Sequence, residues 1–333
     1  MKKYLLPEEG TFYKANLHSH STISDGKNTP EEMKNYYKAH GYQILALTDH
    51  ELLVDHSDLN DPDFLMLTGY EYAIIEPKPY RYAKTIELNI YPRDPHNTTH
   101  VCFNPKNVIH GEKWRCETLS YRGEIYQREF TIENIQQVID AARDNDCIVS
   151  LNHPAYSWIT PEFFGQLQGL FAMEIHNQGC YYDSSEFSPQ MYQQMLFMGH
   201  RISPLAADDN HEAMVYDDPV DLRPWGFNVI KAPALTHEAV VAAMERGDLY
   251  ASQGPLFHEL YIEDGMLHVA CDGVKAIVLR TKNRFYKELH APVGEVLTEA
   301  AFPVPDDEFM WIEIIDGHGR HACTRGYFRD ELV

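Results

Sequence analysis

The sequence predicts an α/β protein: a parallel sheet, open or closed into a barrel, followed by a small antiparallel β unit. Three observations predict it. Short apolar runs alternate with helix-forming stretches from the N-terminus to about residue 250. The helical stretches open on clear N-cap signals. After Ser252-Gln253-Gly254-Pro255 they stop, leaving short β-like runs separated by Asp-Gly turns.

Taken in order, the candidate strands are 13–20, 43–50, 65–73, 100–104, 147–153, 170–177, 201–207 and 226–232. Thr29-Pro30-Glu31-Glu32 offers an N-cap, a proline at the first helical position and acids in the first turn, which suit the positive end of the helix dipole. Thr160-Pro161-Glu162 repeats the device, and Thr131 and Thr236 open two further helices. His40-Gly41, Gly199-His200 and Gly247 stand where C-caps belong. In the tail, 258–263, 266–271, 276–281 and 310–316 read as strands, with turns at Asp264-Gly265, Asp272-Gly273 and Asp316-Gly317. The division is therefore 1–254 for the α/β unit and 255–333 for a sandwich-like β unit. The segment 105–130 is rich in charge and aromatics without a clear element, a length that in a compact domain usually serves function.

Composition narrows the function. Of 333 residues 44% are hydrophobic, enough for a substantial core, yet no window approaches a membrane span and the start MKKYLLPEEG lacks the apolar stretch of a signal peptide. The expected location is cytoplasmic. Fifty acidic residues against 28 basic ones argue against a broad nucleic-acid footprint and leave at most a nucleotide or short oligonucleotide as substrate. Oligomeric state is open. The six cysteines are scattered, with no C-x-x-C pair, so they read as free thiols.

Histidine carries the chemical signal. His18-x-His20 ends the first strand, and in an extended chain residues i and i+2 point to one side, so both rings can reach one ion. Asp25 follows in Ser24-Asp25-Gly26. Thr48-Asp49-His50 ends the second strand, Gly69-Tyr70-Glu71 ends the third and Asn152-His153-Pro154 ends the fifth. Asp208-Asp209-Asn210-His211 follows the seventh. Strand C-termini of a parallel α/β sheet converge on one face, where active sites form. Ligand-type residues at nearly every strand end point to a metal site. His100 is the weakest member, since it precedes its apolar run. His176, in Glu174-Ile175-His176-Asn177, closes the sixth strand and should face the same cavity, as a substrate contact, a proton donor or plain packing.

This ordered set over roughly residues 12–215 resembles the polymerase-and-histidinol-phosphatase (PHP) superfamily. The segment from Ala232 to Pro255, with the sequence Thr324 to Phe328, resembles its carbaryl-hydrolase-like CehA/McbA branch. The resemblance implies a distorted (β/α)7 TIM-like barrel holding two or three divalent ions, with Mn²⁺, Fe²⁺ and Zn²⁺ all compatible with the donors. It assigns one ion to His18, His20, Glu71 and Asp209, a second to the bridging Glu71 with His100 and His153, and a third to Asp25, His50 and His211. The doubled Asp208-Asp209 leaves open which carboxylate binds, and the D-x-H spacing favours Asp209. The implied activity is hydrolysis of a small phosphate ester, a phosphorylated metabolite or nucleotide, by a metal-bridging hydroxide. The alternatives are carboxyl or carbamate ester hydrolysis at the same site and a non-catalytic metal-stabilised binding module. For holding the phosphate, Arg122 is the first choice in the 105–130 segment, with Arg115 and Lys113, and Lys106 as a further cation there.

Overall fold

The computed structural model describes residues 2–180, 187–212, 226–284 and 287–332. Among the described residues the fold is mixed α/β, with three sheets and few helices. Its first part contains β1 (Lys3–Tyr4), β2 (Thr11–Asn16), β3 (Ile44–Leu47), β4 (Leu65–Thr68), β5 (Tyr70–Ile75), β6 (Thr85–Pro92), β7 (Cys147–Leu151), β8 (Ala172–Asn177), β9 (Ser203–Ala207), β10 (Phe227–Ala232) and β11 (Leu249–Ser252). The helices among them are α1 (Pro30–Ala39), α2 (Ile132–Asp144), α3 (Pro161–Phe164), α4 (Pro189–Phe197) and α5 (His237–Arg246).

The helix starts are those the sequence marks. Thr29 accepts the Glu32 N–H while the Glu32 carboxylate takes the Thr29 N–H at 2.8 Å, a complete capping box. Thr131 and Thr236 cap α2 and α5 through the N–H groups of Asn134 and Ala239. Thr160 precedes α3 without a side-chain cap bond, and that helix is only four residues long. Gly247 ends α5 in the left-handed region, at φ 75°.

Among the described residues the expected distorted (β/α)7 barrel is not closed by the hydrogen-bond pattern. β2, β3 and β4 pair in parallel, and so do β7, β8 and β9, but β5, β6 and β7 are antiparallel and β10 runs antiparallel to β2. The ladder is interrupted twice. The run 65–73 is two strands, β4 and β5, which meet at Gly69 and belong to different sheets; a Cβ at Gly69 would stand 2.8 Å from the Tyr91 ring. Between β9 and β10 the Asn228 side chain stands in for a backbone ladder, accepting the Ala206 N–H at 3.1 Å and donating to the Ala206 carbonyl at 2.8 Å.

The strand expected at 100–104 is not formed; the chain there makes only a bridge from His100 to Tyr121 and a one-turn helix, Pro105–Asn107. β6 was missed. Its Ile86, Leu88 and Ile90 are fully buried and join Ile135, Val138 and Ile139 of α2 in one core cluster, each such side chain worth roughly 1.5–3 kcal/mol in transfer. The intervening Glu87 and Asn89 lie on the other face.

The tail comprises β12 (Phe257–Glu263), β13 (Met266–Val274), β14 (Ala276–Thr281), β15 (Lys287–His290), β16 (Leu297–Pro303), β17 (Phe309–Ile315), β18 (His321–Thr324) and β19 (Tyr327–Phe328), then the short α6 (Arg329–Leu332). Strands β1, β12, β13 and β16 form one sheet, and β15, β14, β17 and β18 continue through β11 into β10 and β2. Leu260, Leu267 and Phe302 of the first sheet share a core cluster with Ile277, Leu279, Ile312 and Ile314 of the second. Among the described residues no helix is long and apolar enough to cross a membrane.

Candidate metal centre

The chain beyond several strand ends continues as paired backbone, and this aligns the chemistry. The Asp209 N–H donates to the His18 carbonyl at 3.1 Å, and the His20 N–H to the Asn210 carbonyl at 2.9 Å. The Glu51 N–H likewise donates to the Glu71 carbonyl at 2.8 Å, which sets His50 beside Glu71. The intervening loop is tied down by Asp49, whose Oδ1 accepts the N–H groups of Ser21 and Ser24 at 2.8 and 3.0 Å. Gly26 is required there, because a Cβ would stand 2.6 Å from the His20 backbone.

Glu71 is the hub. Its carboxylate oxygens lie 3.3 Å from His18 Nε2, 3.5 Å from His20 Nε2, 3.1 Å from His50 Nδ1 and 3.6 Å from His153 Nε2. Asp209 Oδ1 stands 3.0 Å from His20 Nε2 and 3.3 Å from His18 Nε2. Asp25 lies 3.6 Å from His50 Nε2 and 3.4 Å from His211 Nε2. Donors held about 2.0–2.2 Å from a shared ion stand roughly 3–3.6 Å apart, and these spacings match. Four overlapping groups result: His20–Asp25–His50–His211, His18–His153–Asp209, His18–His20–Glu71 and Glu71–Glu87–His153, each with its donor atoms within 4.8 Å of one another.

The electrostatics follow from crowding. Burial works against ionising Glu71, but the neighbouring His18 and His50 hold its carboxyl well below the usual range. Burial and His18 act the same way on Asp209. Burial likewise opposes the charged form of His153 and His211, yet Glu71 raises the first and Asp25 the second to about 9. His20 is lowered by burial and by the adjacent His50 and His211. Glu87 is pushed up to about 7 by burial and by the Glu71 charge.

The group lies on a cavity of about 580 Å³ whose walls include Ala73, Ile75, Ile109, Tyr156 and Cys180. Lys106, His110 and Arg128 line it as well. Arg128 spans the wall, with its guanidinium on both Glu51 oxygens and the Ala73 carbonyl and its Cζ 3.6 Å from the Tyr72 ring centroid.

Eight of the nine ligands read from the sequence are brought together here; His100 is not. Its Nε2 accepts the Leu53 N–H at 2.9 Å and its Nδ1 faces the Ser120 carbonyl at 3.3 Å, so both nitrogens are engaged. Between the two aspartates the geometry is plain. Asp209, at φ 50°, turns to the histidines. Asp208 turns to Tyr37 Oη at 2.7 Å and to Asn16, and burial with the adjacent Asp209 charge pushes it up to about 8. His176 lines a recess of about 10 Å³ behind His153 rather than the cavity, its Nδ1 accepting from Gln253 Nε2 at 3.2 Å. A bulge explains this: Glu174 pairs with Leu205 and His176 with the very next residue, Ala206, so the two no longer share a face.

Arg122, Arg115 and Lys113 do not line the cavity. Arg122 donates to the Asp144 carbonyl at 3.1 Å at the C-terminal end of α2, where carbonyl dipoles attract a cation. Arg115 is held by Glu112, and Lys113 is exposed on the short helix Lys113–Glu117. Sequence reasoning missed Glu87, Arg128 and Glu174. The alternation of Ile86, Leu88 and Ile90 was the available signal for Glu87; nothing local marked Arg128 over Arg122.

No family model matches the chain, and no curated protein matches it. Among solved structures it is similar to a two-domain protein of Bacteroides vulgatus described as containing a predicted PHP-like metal-dependent phosphoesterase. That match has 12% identity and a TM-score of 0.45, over 98% of this chain and 90% of that one. A candidate metal-dependent phosphoesterase of Bifidobacterium adolescentis matches at 14% identity and TM-score 0.39, over 61% and 89% of the two chains. An amidohydrolase of Chromobacterium violaceum matches at 15% and 0.38, over 60% and 87%. Likenesses this distant leave the chemistry to be read from the side chains.

Proposed function

We propose that this chain is a PHP-like metal-dependent hydrolase that cleaves small phosphate esters using two or three divalent ions. The observation that carries the reading is Glu71, one buried carboxylate within 3.1–3.6 Å of four imidazoles, with Asp25, Asp209 and His211 around them. Imidazoles and carboxylates in this mixture suit Mn²⁺, Fe²⁺ or Zn²⁺. Such ions, when bound, supply Lewis acidity toward phosphoryl oxygens and a more acidic water.

The side chains of the protein do the positioning. Glu174 accepts the His18 Nδ1–H at 2.7 Å and thereby presents Nε2 to the cluster, and Ser157 Oγ meets His153 Nδ1 at 3.2 Å to the same effect. Lys106, a cation, and the His110 imidazole stand exposed on the cavity wall. His110, rather than His176, is the imidazole outside the cluster that is placed to hand a proton to a leaving oxygen. The Arg128–Glu51 pair forms part of that wall. A cavity of about 580 Å³ has the dimensions of a small-molecule pocket, which favours a phosphorylated metabolite or nucleotide over a polymer.

The deciding experiment is a panel of matched phosphate, carboxyl and carbamate esters with metal-loaded and chelator-stripped protein. Phosphate release that vanishes on stripping and returns with Mn²⁺, Fe²⁺ or Zn²⁺ is expected. Faster turnover of the acyl esters, or no turnover of any ester by loaded protein, would overturn the reading.

A further inference from the structure

Glu87 was outside the expected ligand set, and its place in the fold argues that it belongs there. β5 and β6 pair with Ala73 opposite Glu87 and Glu71 opposite Asn89. Residues two apart on a strand share a face, so Glu71 and Glu87 stand on the same side of the hairpin, both lining the cavity. Glu87 Oε2 lies 3.5 Å from His153 Nε2, and Glu71 Oε1 lies 3.6 Å from the same nitrogen.

The Glu87 side chain is only 14% exposed, yet among the described residues its carboxylate accepts no hydrogen bond and meets no lysine or arginine. The arginine that lines the same cavity, Arg128, is committed to Glu51. Its ion-pair partner is His153, an imidazole that is itself a candidate ligand, and an enclosed carboxylate facing such a group is suited to a shared cation. His100, with Leu53 and Ser120 on its two nitrogens, does not compete for the position.

We propose that Glu87 is a metal ligand, completing with Glu71 and His153 a divalent-ion position in which a carboxylate stands where an imidazole was expected. The proposal rests on the metal-dependent reading of the site. It also divides the centre by hardness. Two carboxylates and one imidazole favour Mn²⁺ relative to Zn²⁺, compared with the imidazole-rich His20–Asp25–His50–His211 group.

The test uses the full chain, stripped with chelator and reloaded with Mn²⁺ alone or Zn²⁺ alone, with ions per chain counted by elemental analysis and affinities titrated. Glu87→Gln is expected to hold one Mn²⁺ fewer than wild type, or to bind it at least roughly tenfold more weakly. His100→Gln, shown folded by circular dichroism, should keep the wild-type count. Glu87→His should restore the count while shifting the Mn²⁺ to Zn²⁺ affinity ratio toward Zn²⁺ by about tenfold.

A wild-type count and affinity in Glu87→Gln, or the loss of an ion from folded His100→Gln, would overturn the assignment and leave the metal reading standing. An unshifted ratio in a fully loaded Glu87→His would overturn the division by hardness. Wild-type protein that takes up neither ion would overturn the metal reading itself, and the proposal with it.

Discussion

A histidine can meet an ion with either ring nitrogen, and whatever holds the other nitrogen decides which. Glu174 makes that choice for His18, and it does more. Its second oxygen accepts the His153 N–H at 2.9 Å and the Asn177 amide at 3.0 Å, so one buried carboxylate orients one ligand and the backbone of another. Glu174→Gln keeps the shape but offers His18 and His153 a single acceptor oxygen between them. We expect the Mn²⁺ affinity of the folded variant to fall roughly tenfold or more, as losses of this kind do at other metal sites. Calorimetric titration of stripped protein would measure it, and an unchanged affinity would show that Glu174 only fills space. Adjacent residues of one type can part company at this scale, as Asp208 and Asp209 do: backbone direction, not side-chain chemistry, sends one to the histidines and the other to Tyr37.

At the scale of elements, several side chains hold the segment between β6 and α2, among them His100, Arg122 and Arg128. Arg128 reaches the cavity wall and pairs with Glu51, their side chains 9% and 6% exposed, and Glu51 itself sits in the left-handed region at φ 65°. A strained residue beside a candidate site is kept by the contacts around it. Removing one member of a buried pair leaves the other uncompensated, at about 3–5 kcal/mol, whereas replacing both with apolar residues is often close to neutral. Arg128→Met should therefore destabilise the chain by about that amount, and Arg128→Met with Glu51→Leu by much less. Urea unfolding of wild type, Arg128→Met, Glu51→Leu and the double variant forms the cycle. Equal losses in the single and double variants would mean that the strand ends rely on the arginine for something other than charge pairing.

Across the whole molecule, the tail and the α/β part share a sheet. β18 pairs with β11 from Tyr250–Thr324 to Ser252–Ala322, and β1 near the N-terminus pairs with β12. Tyr250, Phe227 and Leu47 of the first part lie in the same core cluster as Ile312 and Ile314 of the tail. Cutting the chain after Gly254 would bare β11 as an edge strand and expose that apolar face, an invitation to aggregation. The fragment 1–254 is expected to be insoluble or to lack a cooperative thermal transition by circular dichroism. A soluble fragment melting at the temperature of the full chain would establish instead that the two parts are independent.

Features that depend on near neighbours are legible in the chain alone. The capping box of Thr29 and Glu32, the caps at Thr131 and Thr236 and the left-handed stop at Gly247 are local bargains between a side chain and the next turn. His18, His20, Asp25, His50, Glu71, His153, Asp209 and His211 were legible because strand-end positions in an α/β chain converge. Which way other groups face, and what they meet, is set by packing between distant segments. β6 lies between β5 and β7, so its polar residue Glu87 turns to the cavity instead of water. Leu53 claims His100, a bulge swings His176 away, and the end of α2 captures Arg122. Among the described residues the barrel does not close in backbone hydrogen bonds, for the same reason. Whether two strands join, and in which direction, is settled by partners far apart in sequence, as Asn228 settles it between β9 and β10, and no pattern within a single strand carries that information.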